Sequence, residues 1–174
     1  MSAKSRNRWI VVVVSFIIGA SAGFLYAFFV PVSFASLDIM TTDDLVPTFG
    51  FEQASVTLDG ETVALTSDCQ QLSFDVTADQ AFSIGLALEE QTHSRPLTHD
   101  LVHDVFNHYD IHVIAAQIDE SVDGIYTAKL YLSRGNEALK IDARPSDAIG
   151  LGLRSNVPIM VKTDILKNFG ETVC

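Results

Sequence analysis

Positive charge is scarce in this chain of 174 residues, which has 11 Lys and Arg against 22 Asp and Glu and no cation between Arg8 and Arg95. A net charge of -11 argues against a nonspecific cationic nucleic-acid binder. The only cysteines are Cys69 and Cys174, which excludes a CxxC motif and a disulfide-rich scaffold and leaves open whether the two pair. Since the chain also has no glycine-rich phosphate loop and no Ser-His-Asp signature, acyl transfer and redox chemistry lose support.

One long apolar run is present, from Trp9 to Val30, and it contains no charged residue. As a helix it would extend roughly 33 Å, enough to cross a hydrocarbon core about 30 Å thick. Three cations precede the run, at positions 4, 6 and 8, and the nearest charges after it are acidic. The positive-inside rule therefore predicts a single-pass membrane protein with residues 1–8 in the cytoplasm and the following domain outside it.

A cleaved signal peptide is the alternative interpretation of this run, because Ala20-Ser21-Ala22 imitates a cleavage site. The run is longer than a typical signal core, which favours an uncleaved anchor. Gly19 and Gly23 form a GxxxG pair through which two such helices could approach closely.

After the apolar run, residues 31–50 contain Pro31, Pro47 and nearby acids, which is typical of a linker, and residues 51–174 form the predicted domain. Its strands and helices do not alternate strictly, so we predict one compact α+β domain with a mixed or antiparallel sheet and about four helices. Asp59-Gly60 lies between two strand-like runs and predicts a hairpin. The predicted strands are 55–58, 62–66, 72–76, 111–118, 125–132, 137–143 and 158–161, and the predicted helices are 78–90, 98–109, 145–154 and 163–169.

Two helix starts share one design. The segments 95–100 (RPLTHD) and 144–147 (RPSD) each place Arg and Pro before a helix, followed by a hydroxyl residue and an aspartate. Helix capping accounts for this pattern completely, because Pro, Ser, Thr and Asp all favour a first turn. The functional interpretation adds that a helix start beside an arginine binds anions such as phosphate. That interpretation requires the two helix starts to meet in one pocket.

Two kinds of metal site are compatible with the sequence. Asp142 and Asp147 could hold a divalent cation such as Mg²⁺ or Mn²⁺ that bridges a bound phosphate. His99 and His103 have the spacing of the HExxH motif of zinc peptidases, but Asp100 replaces the glutamate and no third ligand stands at a recognised distance. A zinc peptidase is therefore a remote alternative.

Four segments together resemble the bifunctional nuclease domain family: RPLTHDL from Arg95, YTAKLYL from Tyr126, DARPSDAI from Asp142 and PIMV from Pro158. The resemblance extends over roughly residues 50–170, and the two Arg-Pro motifs are its most specific part. It implies a compact α+β domain that often self-associates, so a homo-oligomer is expected, and it implies cleavage of DNA and RNA. The candidate residues that it carries over are Arg95, His99, Asp100, Asp142, Arg144, Ser146 and Asp147.

The resulting hypothesis is a membrane-anchored nuclease. His99, Asp100, Asp142 and Asp147 would be its catalytic residues, and the substrate would be bound by Arg95, Lys140, Arg144 and Ser146. Gln80 departs from the family pattern, in which a Glu-Ala pair is usual, and a neutral side chain there removes a candidate ligand or base. The second hypothesis is therefore a binding or regulatory module of the same fold in which the two motifs only cap helices.

Overall fold

The described residues, 46–122 and 125–174 of a computed structural model, contain two sheets and four helices and form an α+β domain. The strands are β1 (Phe51–Gln53), β2 (Ser55–Asp59), β3 (Thr62–Ser67), β4 (Gln70–Asp75), β5 (His112–Val122), β6 (Ile125–Arg134), β7 (Glu137–Ala143), β8 (Ile159–Lys162) and β9 (Glu171–Thr172). The helices are α1 (Ala78–Leu88), α2 (Thr98–His108), α3 (Pro145–Arg154) and α4 (Thr163–Phe169).

The larger sheet has the strand order β1-β8-β5-β6-β7, in which only β5 and β8 are parallel neighbours. The smaller sheet is antiparallel and has the order β2-β3-β4-β9. The predicted hairpin is confirmed, since Asp59 pairs with Thr62 and Gly60 has a φ of +60°, which glycine adopts without strain. β1 and β9 were not predicted, because strands of three and two residues are too short to show periodicity.

The core lies between the sheets and the helices, and α3 is its central helix. Ala148 and Ile149 are fully buried there, and they pack in one apolar cluster with Leu130 of β6 and Val161 of β8. At Gly152, a Cβ would clash with the side chain of Ile159, so this glycine allows α3 to pack closely against β8. This packing fixes the start of α3 relative to the larger sheet.

Helix α2 leaves much of its apolar surface exposed. Leu101, Val105 and Tyr109 are 58%, 43% and 56% exposed, and only Val102 and Phe106 pack partly against the core. The five residues do not form one narrow stripe at 3.6 residues per turn, so a helix that packs along one side covers only part of them.

The predicted anchor at 9–30, residues 1–8, most of the linker and the turn at 123–124 lie outside the described residues. Within the described residues, no helix is long and apolar enough to span a membrane. The described end of the linker packs against the domain. Val46 is buried beside Ala115 and Tyr131, and Gln117 Nε2 donates to the carbonyl of Pro47 at 2.7 Å.

Cys69 and Cys174 form a disulfide with a Cα–Cα distance of 5.3 Å, which answers a question that composition left open. Cys69 lies in the turn between β3 and β4, and its carbonyl accepts a hydrogen bond from the Val173 backbone N–H at 3.0 Å. The bond therefore ties the last residues of the chain to the smaller sheet.

Candidate functional site

The starts of α2 and α3 meet, as the functional interpretation of the two motifs requires. The contact is between the His99 imidazole on α2 and the Asp147 carboxylate on α3, with 3.2 Å between Nε2 and Oδ1. The His99 side chain is 13% exposed and that of Asp147 is 31% exposed. The pair is thus largely enclosed and open to solvent on the side of Asp147.

Arg144, the residue before α3, forms two hydrogen bonds with the same carboxylate. Its Nε donates to Asp147 Oδ2 at 2.7 Å, and its terminal nitrogen donates to Oδ1 at 3.1 Å, in the two-pronged geometry that arginine forms with carboxylates. Burial raises the pKa of Asp147, but hydrogen bonds from Arg144 and His99 outweigh this effect and hold the pKa below its ordinary value. Asp147 is therefore ionised at neutral pH, and the exposed Arg144 guanidinium presents a cation to solvent.

The other side of the His99 ring contacts Ser83 of α1, with 2.9 Å between Oγ and Nδ1. Because Asp147 only accepts hydrogen bonds when ionised, the Nε2 of His99 carries the proton that it shares with Asp147. In the neutral ring, Nδ1 then accepts the Ser83 hydroxyl proton. Ser83, His99 and Asp147 form a hydrogen-bonded chain from the interior to the surface.

Behind this chain lies a buried ion pair between Asp100 and Arg154. The Arg154 Nε donates to Asp100 Oδ1 at 2.6 Å, and the two side chains are 8% and 10% exposed. Arg154 also donates to the Ser83 carbonyl and hydroxyl, each at 3.2 Å. The other oxygen of Asp100 accepts from the Leu97 backbone N–H at 2.8 Å, which caps α2.

Gly150 makes room for the His99 ring. A Cβ at this position would lie 3.2 Å from both Cε1 and Nδ1 of His99, closer than nearly all real contacts. A side chain at residue 150 would push the imidazole away from Ser83 or Asp147. The absence of a side chain at residue 150 thus leaves the His99 ring room to keep both contacts.

Gly150→Ala is expected to move the His99 ring, with Gly85→Ala as the matched control. Both substitutions fill a helix interior, where alanine is favoured over glycine by about 1 kcal/mol. A Cβ at Gly85 meets only Leu58 Cδ2, at 3.4 Å, so the control should gain stability. Gly150→Ala should gain less in chemical denaturation and should shift the NMR signal of the His99 ring. Equal gains and an unchanged His99 signal would contradict the packing argument.

Among the described residues, four other predicted site residues form no side-chain hydrogen bond or ion pair with His99 or Asp147. Arg95 is exposed in the loop before α2, and Ser146 is buried in the first turn of α3. Lys140 lies on β7, with its Nζ 5.9 Å from the centre of the Tyr131 ring. Asp142, also on β7, pairs with Lys129 of β6 at 2.5 Å. The predicted roles of these four residues stay predictions.

In the described part of the chain, the candidate metal ligands are not arranged around a common point and are hydrogen-bonded to other side chains. Asp142 is occupied by Lys129, and both oxygens of Asp147 are bonded to Arg144, with His99 on one of them. Among the described residues, no group of three or more His, Cys, Asp and Glu side chains is arranged to hold a metal ion. Both ring nitrogens of His99 are hydrogen-bonded, to Ser83 and to Asp147, and His103 Nδ1 lies 3.4 Å from Asn107 Nδ2.

Gln80 has a capping role at the start of α1. Its Oε1 accepts a hydrogen bond from the backbone N–H of Thr77 at 2.9 Å. A glutamate could accept the same bond, so the neutral side chain preserves this function of the position.

Ser83, Gly150 and Arg154 are the parts of the network that were not recognised as site residues from the sequence. A serine among the apolar residues of α1 was the available signal for Ser83. Arginine side chains are mostly exposed, so the burial of Arg154 could not be expected from its residue type. Pairing across helices is not visible in local sequence.

Comparison with known proteins places these motifs in a family. The sequence model of the "Bifunctional nuclease domain" matches residues 63–173, which includes both helix starts. The chain belongs to the bifunctional nuclease domain family. An uncharacterized protein of Mycobacterium tuberculosis is 34% identical over 93 residues, which are 52% of this chain and 55% of that protein.

Plant relatives of the bifunctional nuclease domain carry an activity in their names. "Bifunctional nuclease 1" of Oryza sativa subsp. japonica is 35% identical over 82 residues, 45% of this chain and 25% of the relative. "Bifunctional nuclease 2" of Arabidopsis thaliana is 34% identical over 83 residues, with 46% and 25% covered. The matches thus span about half of the mycobacterial relative and a quarter of the plant relatives.

Proposed function

We propose that this bifunctional nuclease domain hydrolyses phosphodiester bonds in DNA, RNA or both. The observation that carries the proposal is the contact between His99 and Asp147, with Arg144 beside it, at the junction of the two family motifs. Membership of the family and the names of the plant relatives support it. Nuclease chemistry requires a cation for the phosphate and a residue that handles a proton, and this junction has both.

In the proposed mechanism, Arg144 binds the phosphate because its guanidinium is exposed and always charged. A phosphate held there lies next to the His99 imidazole. With the ring protonated on both nitrogens, Nε2–H donates its proton to the leaving oxygen as the P–O bond breaks, and a water molecule attacks the phosphorus and releases its own proton to solvent. Asp147 orients the imidazole and stabilises it when it is protonated. Ser83 fixes the ring from the opposite side.

We also expect a divalent cation to take part in the proposed reaction. It would supply charge neutralisation for the phosphate, and Asp142 and Asp147 remain its candidate ligands once they are released from their present cationic partners. The acidic charge of the chain makes such a cation useful, because a polyanionic substrate is repelled at long range.

The first experiment is a cleavage assay with the full chain in detergent, single-stranded DNA and RNA, and matched samples with EDTA or added Mg²⁺ or Mn²⁺. We expect cleavage of at least one substrate, with a loss of activity in EDTA that Mg²⁺ or Mn²⁺ restores. If EDTA does not reduce the cleavage, the expected role of a divalent cation is contradicted, but the proposed nuclease activity is not. No cleavage under any condition would contradict the nuclease proposal.

A non-catalytic binding or regulatory module is the second candidate. It is supported by the internal pairing of the site charges, since Arg144, Asp147, Asp100 and Arg154 each have a partner within the domain. In this module the two motifs only cap helices, and the domain assembles with a partner or with itself. The cleavage assay separates the two candidates, because the module would cleave neither substrate under any condition.

We also propose that residues 9–30 anchor the protein in a membrane and that the domain lies on the extracytoplasmic side. The charge asymmetry around the apolar run supports this topology, as does the Cys69–Cys174 disulfide, because such bonds persist mainly in oxidising compartments. In cells quenched with a thiol-blocking maleimide, the two cysteines are expected to be unlabelled until reductant is added. Labelling without reductant would contradict the proposed side of the membrane.

A further inference from the structure

Strand β7 leaves one edge of the larger sheet without a partner among the described residues. The sheet order ends at β7, whose other edge pairs with β6. Six of its seven residues are exposed, and the seventh is partly buried. An exposed edge strand presents backbone N–H and C=O groups that can pair with a further strand.

From Leu139 to Ala143, the side chains of β7 divide into an apolar face and a charged face. Leu139 and Ile141 lie opposite the buried Leu132 and Leu130 of β6, and they are 57% and 37% exposed. Leu139 also lines a groove with Ile111 and Leu132. Lys140 and Asp142 point to the other face because side chains alternate along a strand. A partner strand would therefore need apolar side chains on one face. On its other face it would need a negative charge opposite Lys140 and a positive charge opposite Asp142.

A second copy of the same strand satisfies both requirements in one register. In an antiparallel pair related by a twofold axis at Ile141, Lys140 of each copy lies opposite Asp142 of the other, which gives two symmetric ion pairs. Ile141 then meets its own counterpart, and Leu139 lies opposite Ala143, so the apolar face continues across the seam. Asp142 would be placed between Lys129 of its own chain and the Lys140 of the other copy.

The neighbouring twofold registers are less favourable. Centring the axis on Lys140 places this residue opposite itself, and like charges directly opposite each other are destabilising. Centring it on Leu139 places Glu137 opposite Ile141, so a charge enters the apolar face. Charge complementarity thus selects a single alignment.

We propose that β7 is a self-association edge, where two copies of this chain pair antiparallel about Ile141 and join their larger sheets. The axis lies three residues before Arg144, so the two candidate sites flank the same seam. The oligomer expected for this chain would thereby have a specific interface, which is independent of whether the site cleaves nucleic acid.

Cysteine cross-linking of the full chain in detergent tests the register. The native cysteines are bonded to each other, so a single introduced thiol reports only on contacts between copies. Residues directly opposite in an antiparallel pair have Cα atoms about 4.5–5.5 Å apart, within the range of a disulfide. On mild oxidation, Ile141→Cys should be converted mostly to a covalent dimer, whereas Leu139→Cys and Lys140→Cys should stay mostly monomeric.

A charge exchange tests the pairing of Lys140 with Asp142. In the Ile141→Cys background, Lys140→Glu alone and Asp142→Lys alone each place like charges across the seam and should lose the cross-link. A mixture of the two variants should recover it as a heterodimer. Equal cross-linking at positions 139, 140 and 141, no recovery in the mixture, or a monomeric wild-type chain in light scattering would overturn the proposal.

Discussion

Arg154→Ala is expected to destabilise the domain by about 3–5 kcal/mol, because the substitution leaves the Asp100 carboxylate buried without its cation. The same change removes hydrogen bonds to the carbonyls of Ser83 and Gly150. The free energy of unfolding from urea denaturation measures the effect. Arg154→Lys should retain part of the stability, since it keeps the charge but not the fork of donors.

Arg144→Ala is the matched control, because this arginine also pairs with an aspartate but lies at the surface, with 70% of its side chain exposed. Surface ion pairs contribute little, so the stability of this variant should be close to that of the wild type. An equal loss in the two variants would contradict the distinction between the buried pair and the exposed one.

The dependence on pH gives a second check on the Asp100–Arg154 pair. Burial raises the pKa of Asp100, but hydrogen bonds from Arg154 and from the Leu97 backbone N–H, together with nearby positive charge, hold the pKa below its ordinary value. A depressed pKa in the folded state contributes stability that is present above about pH 4 and is lost as the pH falls through the folded pKa. In Arg154→Ala the isolated carboxyl prefers its neutral form, so the stability difference from wild type should narrow on acidification.

His99→Asn is expected to lower the rate of nucleic-acid cleavage by at least about 100-fold, because it removes the proton donor assigned to the leaving oxygen. The amide can still form hydrogen bonds with its neighbours, which limits the disturbance of the fold. The measurement is kcat/KM on the best substrate of the cleavage assay, together with the free energy of unfolding. A rate near that of the wild type would remove His99 from the mechanism.

His108→Ala is the control for this variant. His108 lies on the same helix, is exposed and contacts only the neighbouring Tyr109 ring among the described ring contacts. Its activity should equal that of the wild type. A loss as large as that of His99→Asn would indicate a general effect of altering α2.

Local sequence patterns predicted most of this fold. The bounds of α3 were predicted to the residue, because Arg-Pro-Ser-Asp begins the helix and the apolar spacing continues to Arg154. The exposed face of α2 could not be predicted from periodicity. Hydrophobic spacing identifies which residues share a helix face, but it does not give the depth to which a neighbouring helix covers them.

The candidate site was partly predictable for a related reason. The two motifs could be recognised from their residue types. The contact of His99 with Asp147, however, joins residues that are 48 positions apart, so no local pattern shows it. Which partner each carboxylate takes depends on the packing of three helices. Sequence placed Asp100 and Asp147 in equivalent motif positions, whereas the structure buries one with Arg154 and leaves the other at the surface with Arg144.

The most direct test of the joint site is a double-mutant cycle on the cleavage rate with His99→Asn and Asp147→Asn. If the two residues act as one unit across the helix starts, the double variant should be about as slow as the slower single variant. If the losses in the two single variants simply multiply in the double variant, the two helix starts act independently and the account of a shared site is contradicted.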